Sequence, residues 1–174
     1  MIKELKQLDY GPMTGKRAVI PINPDNLTTD EKMKALDAVH LIKEKICGKI
    51  KGRTCANGKK QRKYVKDGEI VSSPTASLES IVANLLVDAY EGRHTAIADV
   101  PGVYLHAEMP PGKKVLMKLR NKFVDIMCQV NPEYIPYVRY EGKSKVLYLH
   151  VLRAIYGCLE SALLWYNLYS STLQ

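Results

Sequence analysis

The sequence predicts an α+β protein, on three observations. Apolar residues recur at helical spacing across residues 78–89 and 161–173, and short apolar runs bounded by turn residues occupy 115–118 and 146–152. An Asn-Gly pair, Asn57-Gly58, also interrupts a basic stretch in the manner of a hairpin turn. Elements of both kinds around one core give this class. With 174 residues, 46% of them hydrophobic and 25% charged, the chain can form one core. It reads as one domain or an incomplete piece of a larger one.

The elements follow in order. Gly11, Pro12, Gly15, Pro21 and Pro24 punctuate a loop-rich stretch around Ala18-Val19-Ile20, a candidate edge strand. Thr28 and Glu31 have capping-box spacing, and Met33, Leu36, Val39, Ile42 and Ile46 then predict a helix over 29–46. Residues 49–66 form a basic run of Lys49, Lys51, Arg53, Lys59, Lys60, Arg62, Lys63 and Lys66. Both residues of Asn57-Gly58 can take positive φ, so this run reads as a basic β-hairpin turning there. Ser73-Pro74 sets up a helix with Leu78, Ile81, Val82, Leu85, Leu86 and Ala89 on one face, ended by Gly92.

Residues 95–100 alternate in polarity and predict a strand with Asp99 near its end, broken by Pro101-Gly102. A strand at 115–118 precedes a helix over 122–130, whose apolar face is Phe123, Ile126, Met127 and Val130 and which stops before Asn131-Pro132. A strand at 146–152, a turn at Tyr156-Gly157 and a helix over 161–173 with Leu164, Trp165, Leu168 and Leu173 complete the chain. No internal repeat or low-complexity tract occurs.

Charge and motifs narrow the function. Lys and Arg number 26 against 18 Asp and Glu, and the formal charge of +8 favours a polyanionic partner, nucleic acid first; a basic protein without such a partner is the alternative. Cys47, Cys55, Cys128 and Cys158 form no zinc-type cluster, which favours reduced thiols in an intracellular protein. Charges interrupt residues 1–20, so no signal-peptide core is expected there and no membrane span elsewhere. His40, His94, His106 and His150 come without a GxSxG elbow, and there is no Walker A or GxGxxG loop. Asp99 is the acid of interest. A carboxylate at the end of an apolar strand is costly unless a metal or a donor compensates it; an ordinary strand-end aspartate is the plain alternative.

Four blocks in order carry a family resemblance. They are Lys51-Gly52-Arg53 with Ala56-Asn57-Gly58; Ser73-Pro74-Thr75; Ala98-Asp99-Val100 with Tyr104-Leu105-His106-Ala107; and Tyr156-Gly157 with Trp165-Tyr166. Together, over roughly residues 49–174, they resemble the reverse transcriptase of Ty1/copia-type retrotransposons, an RNA-directed DNA polymerase. The resemblance implies fingers and an incomplete ferredoxin-like palm. Residues 1–48 would be a lead-in with a helix, 49–92 a fingers-like basic hairpin and helix, and 93–174 a partial palm. It also implies Mg²⁺ in the intact relative, with deoxynucleotides, an RNA or DNA primer-template and the remainder of a Pol polyprotein as partners.

Site roles follow position by position. Asp99 would be the first catalytic, metal-binding carboxylate, with the Val100 carbonyl as a further oxygen ligand. Tyr104 would be a steric gate beneath the incoming sugar, or else a core aromatic. Lys51 and Arg53 would face the triphosphate, or else form a solvated basic face. Lys59, Lys60, Arg62 and Lys63 would contact template phosphates without reading sequence. Glu160 stands near the nucleotide where the family often has Gln, and an acid there repels a triphosphate unless a cation lies close. The family's second acidic motif, an aromatic-x-Asp-Asp hairpin, has no counterpart, since no Asp or Glu follows Glu160. One aspartate cannot make a two-metal clamp, so the isolated chain is expected not to polymerise DNA. Absent palm strands are expected to leave exposed apolar helix faces and weak autonomous stability. A non-catalytic nucleic-acid-binding remnant and a small basic interaction protein are the competing readings.

Overall fold

Two antiparallel strands, β4 (Val115–Arg120) and β6 (Ser144–Val151), form the centre of the sheet, paired from Val115↔Val151 to Arg120↔Val146. Alternation sends Val115, Met117 and Leu119, with Leu147, Leu149 and Val151, to one face. Leu116, Val146 and Tyr148 go to the other, where Leu27 and Ala35 cover them. Both faces are apolar because both are buried. Each fully buried Leu, Val or Met contributes roughly 1.5–3 kcal/mol. The computed structural model describes residues 2–11, 15–65, 69 and 71–173. Pro12 and Lys66, counted in the loop-rich stretch and the basic run, lie outside the described residues.

Around this pair the sheet runs β1 (Val19–Pro21), β6, β4, β2 (Leu36–Glu44) and β3 (Ile50–Ala56), with β5 (Arg139–Glu141) also on β6. The edge strand expected near Ala18 is β1 (Val19–Pro21), antiparallel to β6; its proline sits where the lost donor is tolerated. Helices α1 (Ile2–Tyr10) and α4 (Lys122–Val130) cover the larger core through Leu5, Leu8, Val124 and Met127. Helix α1 was not foreseen. Lys3, Glu4 and Lys6 lie on the outer face of an amphipathic helix rather than marking a break in one. Buried Asp9 fastens it, accepting from the Tyr134 hydroxyl at 2.6 Å and the Asn131 amide at 3.0 Å. Loss of solvent and this bond to a carboxylate push the Tyr134 hydroxyl's pKa upward.

The helix predicted over 29–46 is corrected to a short helix followed by a strand. The capping box is present, with Glu31 N–H donating to Thr28 Oγ1 at 3.2 Å and Thr28 N–H to Glu31 Oε2 at 2.8 Å, but α2 is only Thr29–Lys34. Strand β2 (Leu36–Glu44) follows and pairs parallel with β4 at Leu36↔Met117 and Asp37↔Lys118. Leu36 and Val39 fit a helical period on paper; the unpaired edge of β4 offers Leu36 a core position that a continued helix would not. Tertiary pairing overrides the local pattern.

A basic hairpin exists, but its turn is elsewhere. Strand β3 (Ile50–Ala56) pairs with β2 from Ala38↔Ala56 to Glu44↔Ile50, so the turn is at 45–49, where Gly48 has φ 73° and donates to Lys45 O at 2.8 Å. Asn57 instead opens a 3-10 helix, Gly58–Tyr64, by accepting from Lys59 N–H at 3.2 Å. Gly58 and Gly157 lie back to back here. A Cβ on Gly58 would overlap the Gly157 carbonyl, and one on Gly157 the Ala56 carbonyl. Ala56 N–H donates to Tyr156 O at 2.7 Å across the same contact.

Helix α3 (Leu78–Tyr90) begins at Ser77, whose hydroxyl accepts from Ser80 N–H at 3.2 Å, and ends at Gly92 with φ 66°. Its apolar face is as predicted, yet no α3 residue is buried. The strand predicted over 95–100 is not formed; these residues are exposed and irregular. Alternating polarity makes a strand only where an edge is available to pair with, and this segment meets none. Asp99 therefore stands on a loop before the Pro101-Gly102 turn. Helix α5 (Ser161–Leu173) has the predicted limits.

Candidate functional site

An open cleft of about 580 Å³ separates α1, β3 and the 99–102 turn. Lys51 and Arg53 stand two residues apart on β3 and so project to the same side of the hairpin, both exposed. Asp99 and Val100 face them from the loop. Of the six residues that the resemblance gathers at the nucleotide, Lys51, Arg53, Asp99 and Val100 line one cleft, while Tyr104 and Glu160 do not. Val100 is 36% exposed and Asp99 is exposed, so neither carries a large burial cost.

Tyr156 forms the floor, positioned by the contact between Ala56 and the 156–157 turn. The Arg53 guanidinium lies 5.3 Å above its ring centroid, a cation–π distance that holds the fork in place. Burial raises the pKa of the Tyr156 hydroxyl, with the nearby Tyr104 and Asp99 adding to the rise and Arg53 opposing it. Tyr104, on the 3-10 helix Val103–His106, is half-buried behind this floor and meets the Tyr156 ring edge-on at 4.7 Å. It reaches the cleft through Tyr156 rather than lining it.

The electrostatics are one-sided. Lys3 and Lys6 of α1 line the cleft beside Lys51 and Arg53, so four cations face the one carboxylate of Asp99. None of these five makes an ion pair among the described residues. Lys51 also lies directly across the ladder from Lys43. Like charges opposed on neighbouring strands are destabilising, and a bound anion relieves the repulsion.

The other expected residues lie elsewhere. Glu160 is in a separate cavity of about 310 Å³, which shares no lining residue with the cleft. It is ion-paired with Lys113 in that cavity, away from Lys51 and Arg53. Lys60 is engaged with the carbonyl of Ala35 at 3.1 Å and the Asp37 carboxylate at 3.3 Å, closing the end of α2 onto the hairpin. Lys59, Arg62 and Lys63 are exposed on the 3-10 helix and line neither cavity.

Nothing in the sequence marks Lys3 and Lys6 as site residues. Their spacing places both on one face of a helix whose opposite face carries Leu5 and Leu8, a signal legible only once a helix is assumed there. For a metal the donor set is poor. Among the described residues no three of His, Cys, Asp and Glu come together as ligands, and Asp99 stands amid cations. These residues do not fit a magnesium ion on their own. No helix among the described residues is long and apolar enough to cross a membrane.

No family model matches the chain, and neither a curated protein nor a solved structure does.

Proposed function

We propose that this chain is the nucleotide- and template-binding part of an RNA-directed DNA polymerase of the Ty1/copia retrotransposon type. The intact relative would add deoxynucleotides to a primed template by two-metal phosphoryl transfer. In this reading the β2–β3 hairpin belongs to the fingers, and β4, α4 and β6 belong to the opening of a ferredoxin-like palm. The observation that carries the proposal is the cleft in which Asp99 and Val100 meet Lys51 and Arg53 across a long sequence separation. Arg53 presents a planar fork suited to phosphate oxygens, and Lys51 a compact charge beside it.

The chain's own residues bind and position; they do not complete the chemistry. Magnesium, where the full set of carboxylates exists, would polarise the attacking hydroxyl and neutralise the triphosphate. One carboxylate among four cations supplies no such set. That same observation favours a second reading, a nucleic-acid-binding remnant without catalysis.

The test has two arms. Purified protein with a labelled primer-template should bind with an affinity that falls steeply with salt, the slope dropping by about one for each phosphate-contacting cation removed. Primer extension with Mg²⁺ and deoxynucleotides should stay at background. Template-dependent incorporation would assign a complete active site to this chain and overturn the binding-only part. Absence of binding to any nucleic acid or nucleotide at low salt would favour a basic interaction protein and overturn both readings.

A further inference from the structure

Helix α1 belongs to none of the sequence blocks on which the polymerase reading rests, yet it forms a wall of the same cleft. Lys3 and Lys6 are one turn apart and face away from buried Leu5 and Leu8. The helix cannot easily swing away. Asp9 is fully buried against Tyr134 and Asn131, and Gln7 lies against Gly102 at the turn that carries Asp99. Its two lysines are therefore held in the same cleft as Lys51 and Arg53 by a packed core.

We propose that Lys3 and Lys6 are ligands for the same polyphosphate as Lys51 and Arg53, so that α1 and the hairpin each supply half of one anion site. This rests on the reading of the cleft given above. The ligand chemistry is a run of consecutive phosphates, as in a nucleoside triphosphate or the backbone of a nucleic-acid strand. Four cations drawn from two elements suit an extended anion better than a single phosphate. A volume of about 580 Å³ lies within the range of small-ligand sites. Arg53 lies over the Tyr156 ring, and Tyr10, 52% exposed, also lines the cleft. The contacts proposed here are to phosphates, which carry no base identity.

The test measures binding of the full chain to two probes at low salt, sodium tripolyphosphate and a short labelled oligothymidylate. Four variants are compared with the natural chain: Lys3→Gln/Lys6→Gln, Lys3→Arg/Lys6→Arg, Lys51→Gln/Arg53→Gln, and the control Lys122→Gln/Lys143→Gln, two exposed lysines outside the cleft. Circular dichroism checks that each keeps its helix content. Replacing both α1 lysines by Gln should weaken binding by roughly tenfold for each lysine, the scale of a hydrogen bond to a charged group, while the Arg pair restores it. The control should shift binding by no more than about twofold, since separated exposed charges are screened. Loss on tripolyphosphate identifies a triphosphate as the source of the ligand; loss confined to oligothymidylate identifies a strand backbone. Both keep the proposal. If the α1 Gln pair binds both probes at full strength while Lys51→Gln/Arg53→Gln loses them, α1 is no part of the site and the cleft reading survives. If the natural chain binds neither probe, the cleft reading itself fails.

Discussion

Strand β6 and helix α3 are both rich in apolar residues, and they end in opposite environments. In β6, Val146 to Leu149 and Val151 are 0% exposed; in α3, Leu78 is 72% and Leu86 67% exposed. The helix does not lack local definition, for it has a serine cap at one end and a positive-φ glycine at the other. Among the described residues, no element covers it. Strand β6 lies between β4 and β1, and both of its faces are covered. Local code specifies an element; only a partner turns its apolar residues into stability.

The largest expected effects test the buried side of that contrast. Leu147→Ala should destabilise the chain by about 2–5 kcal/mol, because the cavity is left between packed strands. A urea titration measures this, and a loss near zero would mean that the β4–β6 ladder is not the core. Next, Asp9→Ala should cost about 1–3 kcal/mol by leaving the Tyr134 hydroxyl buried without its acceptor. Tyr134→Phe in the same background should then cost little more, since the two side chains form one pair.

His40 gives a smaller test at the junction between hairpin and body, where its ring stacks on Phe123 at 3.3 Å and bonds Thr54 Oγ1 at 3.1 Å. Burial pushes its pKa down from 6.5 to about 4. The unfolded chain then binds the proton more readily, so the stability from the neutral ring is complete above 6.5 and is lost as pH falls toward 4. An imidazole titration by NMR should show the low midpoint; a midpoint at the ordinary value would mean that the ring is not withdrawn from water at this junction. Smallest of all, Leu85→Ala on α3 should change stability by no more than about 0.5 kcal/mol. A loss on the Leu147 scale would show that α3 is covered in solution and would break the contrast.

The same distinction explains what could be read from the sequence. Helices α3 and α5 and strands β4 and β6 were legible because their period and their terminators agree. Leu36, Val39 and Ile42 misled, since a partner strand on each side made β2 from a pattern that also fits a helix. Asn57-Gly58 is a sound turn signal that here begins a 3-10 helix, and residues 95–100 alternate without an edge to join. At the cleft, the grouping of Lys51, Arg53, Asp99 and Val100 was legible through resemblance alone. Lys3 and Lys6 were not, because their place in the cleft depends on how α1 docks on α4.

Where Gly58 meets Gly157, the end of the hairpin touches the body main chain to main chain, like a rivet without a head. The distance from the end of β3 to the 156–157 turn that carries the cleft floor is consequently gauged by peptide units. One added methyl group at the rivet would shift that floor, however well every charged residue in the opening were preserved.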